Sequence, residues 1–228
     1  MTFTRAAVTG LLAVLALSGC TSDAQEDETT PEEVLAAAKT KLDETSGVRI
    51  DLSTEELPKG VDGILSAEGV GTHAPAFEGD LEVAVGGFPA DVPVVAVDGK
   101  VYAKLPFTTK FVEVDPAAYA APDPAGLMDP DEGLSSLLTS AEGVEEGEQV
   151  RDGEDVLSGY TATVPGEVVA SIIPSASADS DFDATFTVDD EGRLREAVLT
   201  GPFYPGTDAV TYTVGFASYG TTADITAP

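Results

Sequence analysis

The first element that the pattern of apolar and polar residues predicts is a helix. Thr30, Pro31 and Glu33 occupy the N-cap, first-turn and capping-box positions at which helices begin. The residues that follow place one apolar stripe at helical spacing: Val34, Leu35, Ala38 and Leu42. We therefore expect a helix from Pro31 to about Ser46, ended by Gly47.

Beyond this helix the apolar residues recur at every second position, which is typical of half-buried strands. The alternation is clearest in three runs: Val48, Ile50 and Leu52; Leu81, Val83 and Val85; Val210, Tyr212, Val214 and Phe216. Asp98-Gly99 separates two β-prone runs and favours the type I′ turn of a hairpin. A second hairpin is predicted around Asp189–Gly192. The sequence thus predicts a large antiparallel sheet of mostly consecutive strands.

Two segments break the strand pattern and predict short amphipathic helices between strands. The first begins at Asp129-Pro130-Asp131-Glu132-Gly133 and the second at Val164-Pro165-Gly166-Glu167. Each has an acidic first turn, which suits the helix dipole. The apolar residues that follow are Leu134, Leu137 and Leu138 in the first segment and Val168, Val169, Ile172 and Ile173 in the second. Residues 116–130 are rich in proline and predict an irregular loop.

The N-terminus predicts export and a lipid anchor. Arg5 precedes an apolar run, Ala6 to Leu17, that is shorter than the roughly 20 residues that span a bilayer as a helix. Leu17-Ser18-Gly19-Cys20 matches the bacterial lipobox, in which the cysteine sulfur is alkylated with diacylglycerol. We expect a signal peptide over residues 1–19, an acylated Cys20 with a polar tether over residues 20–29, and a location on the outer face of the cell membrane. The alternative is an ordinary signal peptide that contains a cysteine.

Composition and charge limit the remaining possibilities. The chain has 228 residues, 43% of them hydrophobic and 23% charged, which predicts a folded protein rather than a disordered acidic tail. We expect one domain over residues 30–228. The net charge of −30 would repel a phosphate backbone, so nucleic acid is excluded as a partner.

The residues that usually carry enzyme chemistry are scarce in this sequence. His73 is the one histidine and Cys20 the one cysteine, so the usual zinc ligands are missing, and we expect His73 to be a solvent-exposed residue at a strand end. Asp179, Asp181 and Asp183 approach a calcium loop, but Ala184 stands where the loop needs glycine. With no glycine-rich phosphate loop present, we expect no metal, no cofactor and no catalysis.

Three motifs together resemble a known family. They are Asp-Pro-x-x-Gly-Leu-x-x-Leu-Leu at 129–138, Tyr-Thr-x-Thr-Val-Pro at 160–165, and Ser218-Tyr219-Gly220. In this order, after the lipobox, the capped helix and the Asp98-Gly99 hairpin, they resemble the actinobacterial LppX/LprAFG lipoproteins. The resemblance implies an α+β fold similar to that of the LolA/LolB carriers: a single large curved antiparallel sheet, or half-barrel, with a few helices over its concave face and an apolar cavity between them.

The resemblance also implies a function. Such a protein is a monomeric, membrane-anchored lipoprotein that binds acyl chains of cell-envelope lipids or glycolipids and carries or presents them across the envelope, in some cases beside a lipid exporter. The residues expected to line the cavity are Leu134, Leu137, Leu138, Val168, Val169, Ile172, Ile173, Val83, Val95, Val97, Tyr102 and Val214. Periodicity leaves open whether these residues enclose a void or a packed core. The alternative is therefore a cell-surface adhesion module with a filled core and no lipid.

Overall fold

A computed structural model describes residues 29–153 and 155–228. The expected signal peptide, Cys20 and nearly all of the tether lie outside these residues. The helices are α1 (Pro31–Glu44), α2 (Ser136–Ser140) and α3 (Gly166–Ile172), with two 3₁₀ helices at Pro116–Tyr119 and Gly126–Met128. The strands are β1 (Gly47–Ser53), β2 (Gly63–Thr72), β3 (Ala76–Val85), β4 (Phe88–Val97), β5 (Lys100–Ala103), β6 (Val112–Val114), β7 (Glu142–Asp152), β8 (Asp155–Val164), β9 (Phe182–Asp189), β10 (Leu194–Gly201) and β11 (Val210–Ala217).

All eleven strands form one antiparallel sheet, as the sequence predicts. Their order is β6-β5-β4-β3-β2-β1-β11-β10-β9-β8-β7, and the sheet is curved and unclosed. Every neighbouring pair is consecutive in the chain except β1 and β11, which meet in the middle of the sheet. The expected half-barrel with a few helices is therefore confirmed.

The sheet has an inner face, which the helices cover, and an outer face. Cross-strand neighbours share a face, so the register runs across the inner face through Phe216, Ile50, Gly69, Gly79 and Val94. Gly69 and Gly79 leave room for the ring of Phe77, which lies where a side chain at either glycine would begin. Between Ile50 and Val94 the inner face is therefore covered by the ring of Phe77 rather than by side chains of β2 and β3 at these two positions.

The local signals at the start of α1 and at the β4–β5 turn are confirmed. Glu33 N donates to Thr30 Oγ1 and Thr30 N donates to Glu33 Oε2, which completes the capping box. Asp98 and Gly99 have φ of 55° and 69°, as a type I′ turn requires. The helix ends at Glu44 with Thr45 as its C-cap, and Gly47, expected to end the helix, instead begins β1.

Two expectations are wrong. The helix expected to begin at Asp129 begins at Ser136, because the Asp129 carboxylate accepts bonds from Asp131 N at 2.8 Å and Glu132 N at 2.9 Å and so forms a turn of its own. His73 is half-buried rather than solvent-exposed, with Nε2 2.8 Å from the carbonyl oxygen of Leu42. The β2–β3 turn thus packs against the last turn of α1.

Buried apolar residues form two clusters on the inner face. The larger joins all three α-helices to β1 and β8–β11, with Phe182, Phe186 and Leu194 almost completely buried. The smaller lies on β3–β5 and includes Phe77, Val92 and Val94. A third group, on the outer face, places Ile225 of the C-terminal segment against Ala76 and Val95.

Candidate functional site: an apolar cavity

A cavity of about 480 Å³ lies where the two inner-face clusters meet. The sheet supplies its floor, through side chains that alternate along β1, β2, β3, β10 and β11. These floor residues are Ile50, Leu52, Ala67, Phe77, Leu81, Leu199, Tyr212 and Val214. Side chains alternate between the two faces of a strand, so the same two-residue period that predicts the strands also places one face of each strand against the cavity.

The cover of the cavity comes from the segment before and within α2 and from α3. Leu127, Leu134 and Leu137 line it from the first segment, and Val169, Ile172 and Ile173 line it from α3 and its end. Short helices suit this role because each presents one apolar stripe to the sheet. The cover is thus built from the two segments that interrupt the strand pattern of the sequence.

The first of these segments is held in place by polar contacts with α1. Lys39 Nζ donates to the Pro130 carbonyl oxygen and to Ser135 Oγ, and it also pairs with the Asp43 carboxylate at 2.6 Å. Backbone hydrogen bonds from Glu132 and Asp131 lower the pKa of Asp129. The turn that carries Leu134 is therefore a fixed part of the cover.

The cavity opens to solvent at a mouth formed by Asp62, Tyr119, Ala120, Pro174 and Pro205, which are its exposed lining residues. They come from the start of β2, the 3₁₀ helix 116–119, the end of α3 and the β10–β11 connection. These elements lie at one end of the sheet, since β2 and β11 begin there and β10 ends there. A ligand can therefore enter along the strands from that end.

A pair of tyrosines forms the polar part of the cavity wall. Tyr212 Oη donates to the Ile64 carbonyl oxygen at 2.8 Å, so the 2.7 Å contact between the two hydroxyls is donated by Tyr204. Burial raises the pKa of Tyr212, and the hydrogen bond with Tyr204 adds to that effect. The Tyr212 hydroxyl therefore stays neutral, and the Tyr204 hydroxyl, which donates to Tyr212, keeps acceptor capacity for a ligand.

The lining offers apolar contact rather than acid–base or metal chemistry. Asp62 is the one charged residue among the side chains that line the cavity, and its Oδ1 accepts a bond from Gly86 N at 2.8 Å. Among the described residues no group of three or more His, Cys, Asp or Glu is arranged to hold a metal ion, and Asp179, Asp181 and Asp183 are exposed. What this arrangement can do is desolvate an apolar molecule.

Of the residues expected from the sequence to line a cavity, the structure brings six together around it. They are Leu134, Leu137, Val169, Ile172, Ile173 and Val214. Leu138 is buried in the larger cluster instead, and Val168 borders a polar surface depression with Asp131 and Glu132. Val83 has the inner-face register but packs against the smaller cluster.

The assignment of Val95, Val97 and Tyr102 to the cavity is corrected by the structure. All three lie on the outer face, in the group that Ile225 covers. Strand β4 is apolar on both faces because the C-terminal segment crosses its back, so the apolar pattern of β4 does not reveal which side faces the helices.

Several lining residues were not predicted. Ile50, Leu52 and Tyr212 could have been found, because they belong to the same alternating runs that predict β1 and β11. Phe203, Tyr204 and Pro205 lie in an irregular connection that carries no periodic signal.

Within the described residues, no helix is long and apolar enough to cross a bilayer.

Comparisons with known proteins show to which family this chain is similar. The family model of the LppX_LprAFG lipoproteins matches residues 30–225. The chain is similar to the lipoarabinomannan carrier protein LprG of Mycobacterium tuberculosis (strain H37Rv) and of Mycobacterium bovis (strain BCG), with 29% identity over 131 residues in each case. That match covers 56% of this chain and 54% of the relative, so the chain spans about half the length of these curated relatives.

Solved structures show the same fold at lower sequence identity. The crystal structure of LprF from Mycobacterium bovis superposes with a TM-score of 0.69 at 16% identity, covering 87% of this chain and 96% of LprF. That of LppX from Mycobacterium tuberculosis gives 0.63 at 14% identity, covering 86% of this chain and 98% of LppX. With the family model matched over nearly all of the described residues, the chain belongs to the LppX_LprAFG lipoprotein family.

Proposed function

We propose that this lipoprotein holds an acyl chain of a cell-envelope lipid in the cavity and carries or presents that lipid at the outer face of the membrane. The observation that carries the proposal is an apolar cavity, open at one end, whose lining has a single charged residue. Each methylene moved from water into such a site contributes about 0.8 kcal/mol. Binding of this kind needs no covalent step, so we propose no catalytic role for the protein.

The cavity is large enough for an apolar ligand. Its volume of about 480 Å³ lies within the roughly 300 to 1,000 Å³ typical of small-molecule sites. Curated relatives are named as carriers of lipoarabinomannan, and this supports a glycolipid as ligand. The mouth presents Asp62 and the hydroxyl of Tyr119, which favour a neutral headgroup with hydroxyl groups over an anionic one.

Two adjacent leucines of α2 provide a matched test. Leu137 lines the cavity, whereas Leu138 is packed within the larger cluster, and both are almost completely buried. In Leu137→Trp the added bulk enters the void, so we expect co-purified lipid to be lost while the melting temperature changes little. In Leu138→Trp the same bulk overpacks the core and costs about 1 to 3 kcal/mol, while lipid is retained.

The measurement is native mass spectrometry of protein purified from its own cells, followed by denaturing extraction of the lipid and a thermal melt. Loss of lipid in Leu137→Trp alone supports the carrier. If the wild-type protein holds no lipid and both variants are destabilised alike, the cavity is part of a core and the adhesion module takes its place.

Anchoring is a separate part of the proposal, based on the lipobox at Leu17–Cys20. Membrane fractionation of Cys20→Ser tests it. We expect the variant to leave the membrane fraction or stay unprocessed, while the fold of residues 30–228 gives an unchanged circular dichroism spectrum. A processed variant that withstands a salt wash on the membrane would contradict the assignment of the anchor.

A further inference from the structure

The loop between β5 and β6 presents an aromatic ring to solvent. It has the sequence Lys104-Leu105-Pro106-Phe107-Thr108-Thr109-Lys110-Phe111, and the side chain of Phe107 at its tip is fully exposed. Thr108 fixes the tip, since its amide donates to the Leu105 carbonyl oxygen at 3.0 Å and its hydroxyl to the same oxygen at 2.7 Å. The ring is therefore held outward by an ordered turn.

The charge of this segment of the chain is opposite in sign to the net charge of the protein. From Gly99 to Val112 there are three lysines and no acidic residue, a charge of +3 in a chain of net charge −30. Lys100 pairs with Glu113 at 2.9 Å. Lys104 and Lys110 are exposed and form no ion pair within the described residues. The loop thus combines an exposed phenyl ring with two free cations.

A second exposed aromatic lies on the neighbouring turn. The run Val83–Ala90, which contains the β3–β4 turn, has no charged residue. Within it Val85 is 56% exposed and Phe88 is 77% exposed. Since β4 pairs with β5 in antiparallel register, this turn and the β5–β6 loop leave the sheet at the same end.

That end is also the end at which the cavity opens. Gly86 of the β3–β4 turn donates its amide to Asp62 at the mouth. Leu105, two residues before Phe107, packs against the cluster that also contacts Leu81 on the cavity floor. Tyr119 adds a third exposed ring at the mouth itself.

We propose that this end of the domain docks on the anionic surface of a lipid bilayer. Phe107 and Phe88 insert at the level of the headgroups, and Lys104 and Lys110 contact the negatively charged lipids. Aromatic rings and lysines are the side chains that bind membrane interfaces, and each lysine near an anionic surface adds about a fivefold preference. A bilayer surface is fluid, so it can accept two rings on separate protrusions without a preformed pocket for either ring.

Docking in this way places the mouth against the membrane, so an acyl chain passes between bilayer and cavity without crossing water. The purpose of docking rests on the proposed function, but the contact itself does not require a bound lipid. Vesicle binding and cavity occupancy are therefore separate measurements, and either proposal can fail while the other stands.

The chain contains no tryptophan, which makes single tryptophans specific probes. We would reconstitute the full lipidated protein into vesicles of phosphatidylcholine and phosphatidylglycerol with brominated acyl chains, which quench only a tryptophan that enters the bilayer. The variants are Phe107→Trp, Phe88→Trp and, as a matched control, Val150→Trp. Val150 is 57% exposed on β7, at the opposite edge of the sheet.

We expect quenching in the first two variants and none in Val150→Trp. Adding Lys104→Gln and Lys110→Gln to Phe107→Trp should lower the ratio of docked to undocked domains by roughly 30-fold, because the effects of two lysines multiply. Lys41→Gln, an exposed lysine of α1, should leave that ratio unchanged. Raised salt should weaken docking as the lysine variants do.

Equal quenching at positions 107 and 150 would show that the domain touches the bilayer in no preferred orientation, and it would overturn the proposal. The absence of quenching at positions 107 and 88 in every vesicle would also overturn it, and the exposed rings would then be assigned to contact with a protein partner. Quenching that persists undiminished in phosphatidylcholine alone would refute the role of the two lysines.

Discussion

The two halves of the sheet differ in how their inner faces are filled. On one side of the cavity, β8 to β11 carry large side chains such as Phe182, Phe186 and Leu194, which pack under the helices with almost no exposed surface. On the other side, Ala67, Gly69, Gly79, Ala96 and Ala103 of β2 to β5 lie on the same face between larger residues such as Phe77, Leu81 and Val92. We call these the packed half and the small-residue half.

The cover differs in the same way. Helices lie over the packed half, whereas the irregular segment with the two 3₁₀ helices, 116–119 and 126–128, supplies Ala125 to the cluster of the small-residue half and Ala120 and Leu127 to the cavity wall. A protein interior is normally close-packed, so a void persists only where the residues on both sides of it cannot shift to fill it. In this protein the void lies along the boundary between the packed half and the small-residue half.

The largest effect that this difference predicts is on phenylalanine removal. Phe186→Ala in the packed half should cost about 3 to 5 kcal/mol, since a new cavity adds to the lost burial. Phe77→Ala should cost only about 1.5 to 3 kcal/mol, because its ring already borders a void and mainly the burial is lost. Urea denaturation measures both. Equal costs would mean that the two halves are packed alike.

The second prediction concerns the β9–β10 turn of the packed half. The carboxylate of Asp189 has no exposed surface and accepts bonds from Arg193 N and Nε, both at 2.8 Å. Burial alone would raise the pKa of Asp189, but the backbone and side-chain hydrogen bonds of Arg193 outweigh it and lower the pKa. Asp189→Asn should therefore cost about 1 to 3 kcal/mol at pH 7.

The pH dependence has a definite sign. Because the pKa of Asp189 in the folded state lies below the unfolded value, near 3.9, its contribution is complete above that value and is lost as pH falls through the folded pKa. Asp189→Asn should thus lose less stability than wild type on acidification. Asp190→Asn, at the exposed neighbouring position, is the control. Parallel acid melting curves for wild type and Asp189→Asn would contradict the lowered pKa.

The smallest effect is expected in the irregular cover of the small-residue half. Ala120 has φ of 49°, a left-handed conformation that costs an L-residue roughly 1 to 2 kcal/mol. Ala120→Gly relieves this cost but adds freedom to the unfolded chain, worth about 0.5 to 1 kcal/mol, so a net gain of about 0.5 kcal/mol is expected. A lower melting temperature for this variant would show that the Ala120 side chain stabilises the mouth.

The sequence predicts best the elements that short-range interactions decide. The capping box of α1 and the Asp98-Gly99 turn are examples, since residues within a few positions supply all of their contacts. Strand β7 was not predicted, because Glu142–Asp152 is acidic and has little strand propensity. Pairing with β8 imposes its conformation, and its charges suit an edge strand.

The site was predicted only in part, and Leu137 and Leu138 show the reason. Both belong to the apolar stripe of one short helix, so periodicity marks both as inward-facing. Whether a side chain faces a void or a core depends on the residues across from it. Leu137 shares the cavity with Ala67, Phe77 and Leu81 of the small-residue half, which lie 56 to 70 residues earlier in the chain. The apolar pattern within α2 therefore does not indicate which distant residues lie across from each leucine.

The pairing of β1 with β11 has a consequence for the order in which the protein folds. Within β2 to β6 and within β7 to β10, each strand pairs with the next strand in the chain, whereas Arg49 pairs with Ala217 across most of the described sequence. Closing so long a loop is entropically costly and slow. When the chain is delivered N-terminus first, β1 can pair with β2 early, but its other edge must wait for β11, so the apolar inner face stays incomplete until the last strand has emerged.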